Sequence, residues 1–284
     1  VILITQGSSE HSISFALRPE VAEQAVACLE KEFEYELRLR QVDPVKVEKE
    51  LSIVAVIGEN MRYRPGISGR LFQSLGQNGV NVVAIAQGSS ERNISVVVRR
   101  DDEAKALNVL HEAFFLSDTK VLHLYMIGVG LIGGTLLRQI QEHHEYLREE
   151  RQLELKVVGL ANSKKMIFEE EGIVLEKWKD RISTSETDMT LPAFVEKMKA
   201  LNLSNAIFVD NTASDAVPGF YEHILDASIA ISTPNKLAAS SSLGLYRRLR
   251  AIANRRGVPF RYETNVGAGL PVLSTLQDLI SSGD

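Results

Sequence analysis

Apolar and polar residues alternate over two short pairs of segments early in the chain, 2–4 with 13–17 and 82–85 with 94–98. Alternation with a period of two, bounded by Gly and Ser, predicts half-buried strands joined by a turn. Each pair leads into apolar positions three and four apart, Val26, Leu29 and Phe33 after the first and Leu107, Leu110 and Phe114 after the second. That spacing predicts a helix laying one stripe against a sheet. Ahead of the second pair lie an apolar strand over 51–57 and a helix opened by Pro65, carrying Ile67, Leu71 and Leu75 and stopped by Asn78-Gly79. The order is βαββα with a further strand due, a ferredoxin-like unit. The first pair reads as the same unit without its opening strand and helix.

The two units share residues as well as pattern. Gln6-Gly7-Ser8-Ser9-Glu10 returns as Gln87-Gly88-Ser89-Ser90-Glu91, and at the same offset Ile13 and Ser14 match Ile94 and Ser95. A turn carrying an amide, two hydroxyls and a carboxylate can donate to a carboxylate and accept from an ammonium, which suits a free amino acid. It can equally be a polar turn that satisfies its own backbone. Turn chemistry does not require Gln, so the repeated Gln6 and Gln87 are not explained by the turn alone.

Beyond Thr119 the alternation gives way to a continuous apolar strand over 121–127 that runs into Gly128-Val129-Gly130-Leu131-Ile132-Gly133. A helix with Leu136, Leu137 and Ile140 follows, then a second apolar strand over 155–160. G-x-G-x-x-G between the strand and helix of a βαβ unit is the dinucleotide fingerprint. Gly128 permits the tight turn, Gly130 lets backbone approach a pyrophosphate, and Gly133 lets helix pack on strand, with the helix N-terminus facing the phosphates. After the second strand come Ala161-Asn162-Ser163-Lys164-Lys165. An NAD-specific site places an acid there for the ribose hydroxyls. Here two lysines and no acid predict NADP, with NAD accepted less well.

Past a charged excursion over 169–190, apolar runs at 206–210 and 227–232 end in Asp210-Asn211-Thr212-Ala213-Ser214 and Ser232-Thr233-Pro234-Asn235-Lys236. Carboxyl ends of parallel strands line the ligand crevice, so both clusters are expected to face the nicotinamide half of the cofactor. A last strand over 259–263 enters Thr264-Asn265-Val266-Gly267-Ala268-Gly269-Leu270-Pro271. Its carbonyls with Glu263 can hold a hard cation, or the loop can simply connect. The fold class is therefore α/β: ferredoxin-like βαββαβ modules followed by a doubly wound parallel sheet.

Composition narrows the function. With 32 basic and 37 acidic residues in 284, net −5, a broad nucleic-acid face is not expected. No apolar run approaches the roughly 20 residues of a membrane helix, and the lone Cys28 forms no internal disulfide, so a reducing cytoplasm fits, or a plastid for a plant source. The N-terminus has no basic region or cleavage site. It starts as if inside a strand, and the chain stops just past an apolar-periodic segment, the pattern of an interior slice of a longer protein.

The stretches Ile4 to Ser14 and Ile85 to Ser95 resemble the paired ACT modules of aspartokinases, and Arg64-Pro65-Gly66-Ile67-Ser68 resembles the opening of the second module's first helix. In threonine-sensitive members the resemblance assigns effector contact to the glutamine of each copy, here Gln6 and Gln87. The glycine fingerprint, Asp210-Asn211-Thr212-Ala213-Ser214, Thr233-Pro234-Asn235-Lys236 and Glu263-Thr264-Asn265-Val266-Gly267-Ala268-Gly269-Leu270-Pro271 resemble, in order and spacing, the homoserine dehydrogenases. Together they resemble the central part of the bifunctional aspartokinase/homoserine dehydrogenase family.

That resemblance implies a partial ACT module over 1–47, a second over 48–119 and a dinucleotide domain over 120–284. It implies cofactor contacts at Val129, Leu131, Ile132, Thr212, Thr233 and Lys236 beside the three glycines, with Ala161, Asn162, Ser163, Lys164 and Ser214 completing the site. It also implies a monovalent cation such as sodium on the Glu263 side chain and the main-chain carbonyls of Val266, Ala268 and Leu270. The reaction implied interconverts L-aspartate 4-semialdehyde and L-homoserine. The proton-transferring lysine and substrate-binding carboxylates of the family lie beyond Asp284, and the kinase domain ahead of Val1. No catalytic residue is therefore expected in the chain, which should bind NADP without turning over homoserine.

The alternative is a non-catalytic sensor of an amino acid and a nucleotide. A thioester mechanism is excluded because Cys28 is the only cysteine and reads as a small core residue of an ACT helix. His143 and His144 read as solvated positions on a charged helix, and Trp178 as packed under the charged excursion. ACT sheet edges commonly pair, so a homo-oligomer through these modules is expected, with only residues 116–120 joining the second module to the nucleotide fold.

Overall fold

In the computed structural model the chain forms two compact units, Val1–Leu71 with Val80–Leu107, and Phe72–Gly79 with Asn108–Asp284. The structure describes residues 1–6, 12–88, 90–114 and 119–282. Residues 7–11 and Ser89 of the repeated turns, and 116–118 of the connection, lie outside the described residues.

The first unit opens with the hairpin β1 (Leu3–Gln6) and β2 (Ile13–Ala16), Gln6 opposite Ile13. Two helices follow, α1 (Ala22–Glu32) and α2 (Glu34–Arg38). Next come β3 (Leu51–Ile57), α3 (Ile67–Gln77), β4 (Ala84–Gln87), β5 (Asn93–Arg99) and α4 (Glu103–Phe114), with α3 from Phe72 and α4 from Asn108 counted in the second unit. The strands make one antiparallel sheet in the order β3-β5-β4. Val54 faces Val96 and Val56 faces Ile94, all buried, so β-branched cross-strand pairs build the inner face. Gly79, at φ +71°, takes the left-handed conformation that ends α3. β1 runs within contact of β4, which brings the two repeat-bearing strands together.

Four expectations change here. No residue of α1 is buried, and Phe33 is 43% exposed, because a two-stranded hairpin offers too little apolar surface to cover the Val26–Leu29 stripe. Cys28 is exposed on that helix and is not a core residue. In α4 the buried set is Ala106, Val109 and Leu110, while Leu107 is 49% exposed. Spacings of three and four fit both sets, and the smaller Ala106 faces inward. The further strand expected after α4 is also absent from the β3-β5-β4 sheet among the described residues, since the next strand joins a different sheet.

That strand is β6 (Lys120–Ile127), followed by α5 (Leu131–Glu142), α6 (His144–Glu150), β7 (Leu153–Ala161) and the short β8 (Met166–Phe168). The chain continues through α7 (Trp178–Ser183), α8 (Leu191–Leu201), β9 (Ala206–Asp210), α9 (Tyr221–Asp226) and β10 (Ala230–Ser232). It closes with α10 (Leu237–Ser240), α11 (Leu243–Arg256), β11 (Phe260–Arg261) and α12 (Val272–Ser282). The sheet order is β11-β10-β9-β6-β7-β8, parallel except for β8. Strand order reverses at β6, which sets a crevice over the carboxyl ends of β6 and β9.

Alternate residues of β6 divide between two cores, Leu124 and Met126 in one and Tyr125 and Ile127 in the other, as a sheet covered on both faces requires. The larger core carries an unbroken run of ring contacts from Tyr125 through Phe168, Phe194, Phe208, Tyr221 and Phe260 to Tyr262. Local signals frame the helices beneath it. Thr190 accepts a hydrogen bond from Ala193 N and Ser242 from Leu245 N, and α8 and α11 end on left-handed Asn202 and Gly257.

Candidate functional site

The three glycines after β6 do three different things. Gly128 has φ +81°, and a Cβ there would stand 2.7 Å from Thr212 Cγ2 and 2.9 Å from the Asn211 carbonyl carbon. A Cβ on Gly133 would stand 2.1 Å from the Gly128 oxygen, so helix and loop close on each other only without a side chain. Gly130 differs, because a Cβ there meets nothing within 4 Å. It is the N-cap of α5 and provides no side-chain cap, and the first turn holds no acid. The unpaired N–H groups and positive end of α5 thus face open space, a cradle that fits a pyrophosphate. Leu131 and Ile132 stand beside it, 88% and 56% exposed.

On the β7 side, Ala161 is fully buried and Asn162 Oδ1 accepts from the N–H of both Lys164 and Lys165, each at 2.7 Å. This turn displays Ser163 and Lys164 to solvent. Lys165 is engaged elsewhere, its Nζ 2.8 Å from Asp188 Oδ1, and that hydrogen bond and charge hold the Asp188 carboxyl below its ordinary range. Of the two cations expected to favour a 2′-phosphate, Lys164 alone is left uncommitted by this pair.

On the β9–β10 side the polar clusters lock together around Asp210, which is 0% exposed. Asp210 Oδ1 accepts from Thr212 N at 2.8 Å, and Oδ2 accepts from the Tyr221 hydroxyl at 2.6 Å and from Asn235 Nδ2 at 3.0 Å. Thr233 Oγ1 donates to the Asp210 carbonyl at 2.8 Å and accepts from Asn235 N at 2.9 Å. Burial, with the neighbouring carboxylate, raises the Tyr221 hydroxyl far above its ordinary range and keeps it a donor. The hydroxyl of Thr233 is thus spent inside the protein, whereas Lys236 is exposed and Thr212 and Ser214 are half-buried. Sequence reading missed Asp210, Tyr221 and Asn235 as a unit. The signal was an acid at a strand end followed by an Asn two residues after Thr233, but Tyr221 lies on a helix that no motif marks.

The Glu263 loop has a job in the chain itself. Glu263 Oε1 accepts from Leu273 N at 2.8 Å and Ser274 N at 3.2 Å, and Oε2 from Ser274 N at 3.1 Å, so the carboxylate caps α12. A carboxylate offers about four acceptor positions, which leaves one for a cation. Val266, Ala268 and Leu270 are exposed, and the Leu270 carbonyl also accepts from Val272 N at 2.9 Å. An all-oxygen set of one carboxylate and three carbonyls fits a hard cation.

Within the first unit, a pocket of about 280 Å³ is lined by Arg64, Pro65, Gly66, Ser68, Gln87 and Glu91 among others. Glu91 has φ +56° and accepts from Tyr63 N at 3.1 Å. A guanidinium, a carboxylate and an amide around one small cavity match the two charges of an amino acid. Gln87 belongs to this lining, and Gln6 does not.

A doubly wound sheet with a glycine-cradled helix N-terminus, preceded by an antiparallel βαββα unit with its own polar pocket, defines a dinucleotide-binding protein with a small-ligand module. The family model for the NAD-binding domain of homoserine dehydrogenase matches residues 128–263, and that for the ACT domain matches 1–33 and 54–114. The chain is 41% identical over its whole length to the bifunctional aspartokinase/homoserine dehydrogenase of Haemophilus influenzae, covering 35% of that protein. It is 39% identical over its whole length to the chloroplastic bifunctional aspartokinase/homoserine dehydrogenase 2 of Arabidopsis thaliana, covering 31%. A Candida auris protein of unknown function shares the fold over 58% of this chain and 45% of its own, at 28% identity and a TM-score of 0.51. The chain belongs to the bifunctional aspartokinase/homoserine dehydrogenase family and spans about a third of the length of these relatives. No helix among the described residues is long and apolar enough to cross a membrane.

Proposed function

We propose that this chain is the NADP-binding and amino-acid-sensing part of an enzyme that interconverts L-aspartate 4-semialdehyde and L-homoserine. The observation that carries the reading is the open cradle at Gly130 under the N-terminus of α5, flanked by a β7 end without an acid. When bound, NADPH supplies the hydride that, with a proton, converts an aldehyde to an alcohol. The residues here bind and orient. The Gly128–Gly133 backbone holds the pyrophosphate, Ser163 and Lys164 meet the 2′-phosphate, and the β9 and β10 loops present Thr212, Ser214 and Lys236 to the nicotinamide half. No proton-transferring residue is assigned to this chain. We read 1–47 and 48–119 as ACT modules that associate copies of the protein and 120–284 as the dinucleotide domain, with a sodium-like cation held by Glu263, Val266, Ala268 and Leu270.

The test is titration of the chain with NADPH and NADH, followed by nicotinamide fluorescence. NADPH is expected to bind more tightly than NADH. Lys164→Glu should weaken NADPH about tenfold, near 1.4 kcal/mol, while leaving NADH within about twofold. Equal loss of both would remove Lys164 from the 2′-phosphate site.

For the sensing module, threonine is the proposed effector, bound against Gln87 with Gln6 serving the corresponding place in the first module. Calorimetry of the chain with threonine should give saturable binding that Gln87→Ala weakens about tenfold. A Gln87→Ala protein with native threonine affinity would place the effector elsewhere.

A further inference from the structure

We infer that Asn235 is a positioning residue for the dehydrogenase reaction, fixing Lys236 and the nicotinamide half of the crevice without touching the adenosine half. The inference rests on the dinucleotide reading above. Asn235 is 3% exposed, yet every polar group on it is used, and its bonds run to three different loops. Its Nδ2 donates to Asp210 Oδ2 at 3.0 Å and to the Ser214 carbonyl at 2.9 Å, which ties it to the loop after β9. Its own N–H reaches Thr233 Oγ1, and its Oδ1 accepts from Leu237 N at 3.1 Å, so the amide straps both sides of the β10 loop and leaves Lys236 at the crest. Its carbonyl accepts from Asn265 Nδ2 at 3.3 Å, which joins the loop that carries Glu263.

Two features argue that this is more than loop packing. Asp210 is buried and hydrogen-bonded only to neutral donors, so each donor stabilises an anion, and loss of one costs more than an ordinary neutral hydrogen bond. In addition, every loop that Asn235 ties together lies at the carboxyl ends of β9, β10 and β11, on one side of the strand-order reversal. A dinucleotide laid across that reversal places its adenosine half over β7 and its nicotinamide half over β9 and β10. Asn235 therefore acts on one half of the ligand through Lys236, Ser214 and Asn265.

That asymmetry sets the test. NADPH engages both halves of the crevice, whereas 2′,5′-ADP engages only the adenosine half. Asn235→Asp keeps the size of the side chain but removes both amide donors and sets a second carboxylate beside Asp210. It is expected to weaken NADPH at least tenfold while 2′,5′-ADP stays within about twofold of the unsubstituted chain. Asn235→Ser, which removes the amide without adding charge, serves the same purpose if Asn235→Asp does not fold. The reciprocal pair Asp210→Asn with Asn235→Asp restores one N–H to carboxylate bond in the reverse direction and should recover part of the NADPH affinity. Equal weakening of both ligands, or of neither, overturns the inference while leaving the dinucleotide reading intact. Failure of the unsubstituted chain to bind either ligand overturns both.

Discussion

Gly133→Ala is expected to abolish NADPH binding and to destabilise the second unit, whereas Gly130→Ala should abolish binding with a smaller stability loss, about 1 kcal/mol. The contrast comes from what each new methyl meets. At Gly133 it would lie 2.1 Å from the Gly128 oxygen, a backbone atom that can move only if the loop and α5 separate. Overpacking of this kind costs roughly 1–3 kcal/mol or more. At Gly130 the methyl meets no protein atom, and the cost is confined to the backbone, since φ −73° with ψ −146° lies outside the regions an alanine favours. It would occupy the space assigned to the pyrophosphate. Urea denaturation and NADPH titration of both variants separate the two effects, and native affinity in Gly130→Ala would show that the pyrophosphate lies elsewhere.

Phe194→Ala should cost about 3–5 kcal/mol of the second unit's stability. Phe194 is 0% exposed and sits in the middle of the aromatic run, its ring centroid 4.8 Å from Phe168 and 6.3 Å from Phe208. Truncation opens a cavity that neighbouring rings, held on β8, β9 and α9, cannot all move to fill. By comparison Leu276→Ala on α12, where the side chain is 51% exposed, should cost no more than about 0.5 kcal/mol. The urea midpoints of the two variants test this, and similar midpoints would mean that the ring stack does not carry the core.

The second unit was far more legible than the first. The runs at 121–127 and 206–210 become β6 and β9 because strands buried on both faces are apolar throughout, and nothing competes with that signal. The run at 227–232 shortens to Ala230–Ser232 because Ser228 takes φ +59° and breaks the strand geometry. In the first unit, amphipathic spacing located α1 and α4 but misjudged their faces. Periodicity says that a stripe exists, and which of two overlapping stripes turns inward depends on the partner surface. The exposed Cys28 has the same cause, since residue type carries a burial tendency and α1 has little to bury against.

The candidate site divides in the same way. Gly128, Gly130 and Gly133 are readable from spacing because each answers a local backbone demand within a few residues. Lys165 and Thr233 have partners within the chain that their sequence positions do not reveal, Asp188 for the one and Asp210 and Asn235 for the other. Those partners are far away along the chain. Sequence by itself determined the order of elements, the repeat, the dinucleotide fingerprint and the absence of an acid after β7. All of these rest on interactions between near neighbours or on a residue's own chemistry. Only the tertiary structure decided that Asp210, Tyr221 and Asn235 form one buried hub, that Glu263 caps α12 and that Gln87 rather than Gln6 lines the pocket. Each of those depends on which strand ends and helix starts the folded sheet brings within hydrogen-bonding distance.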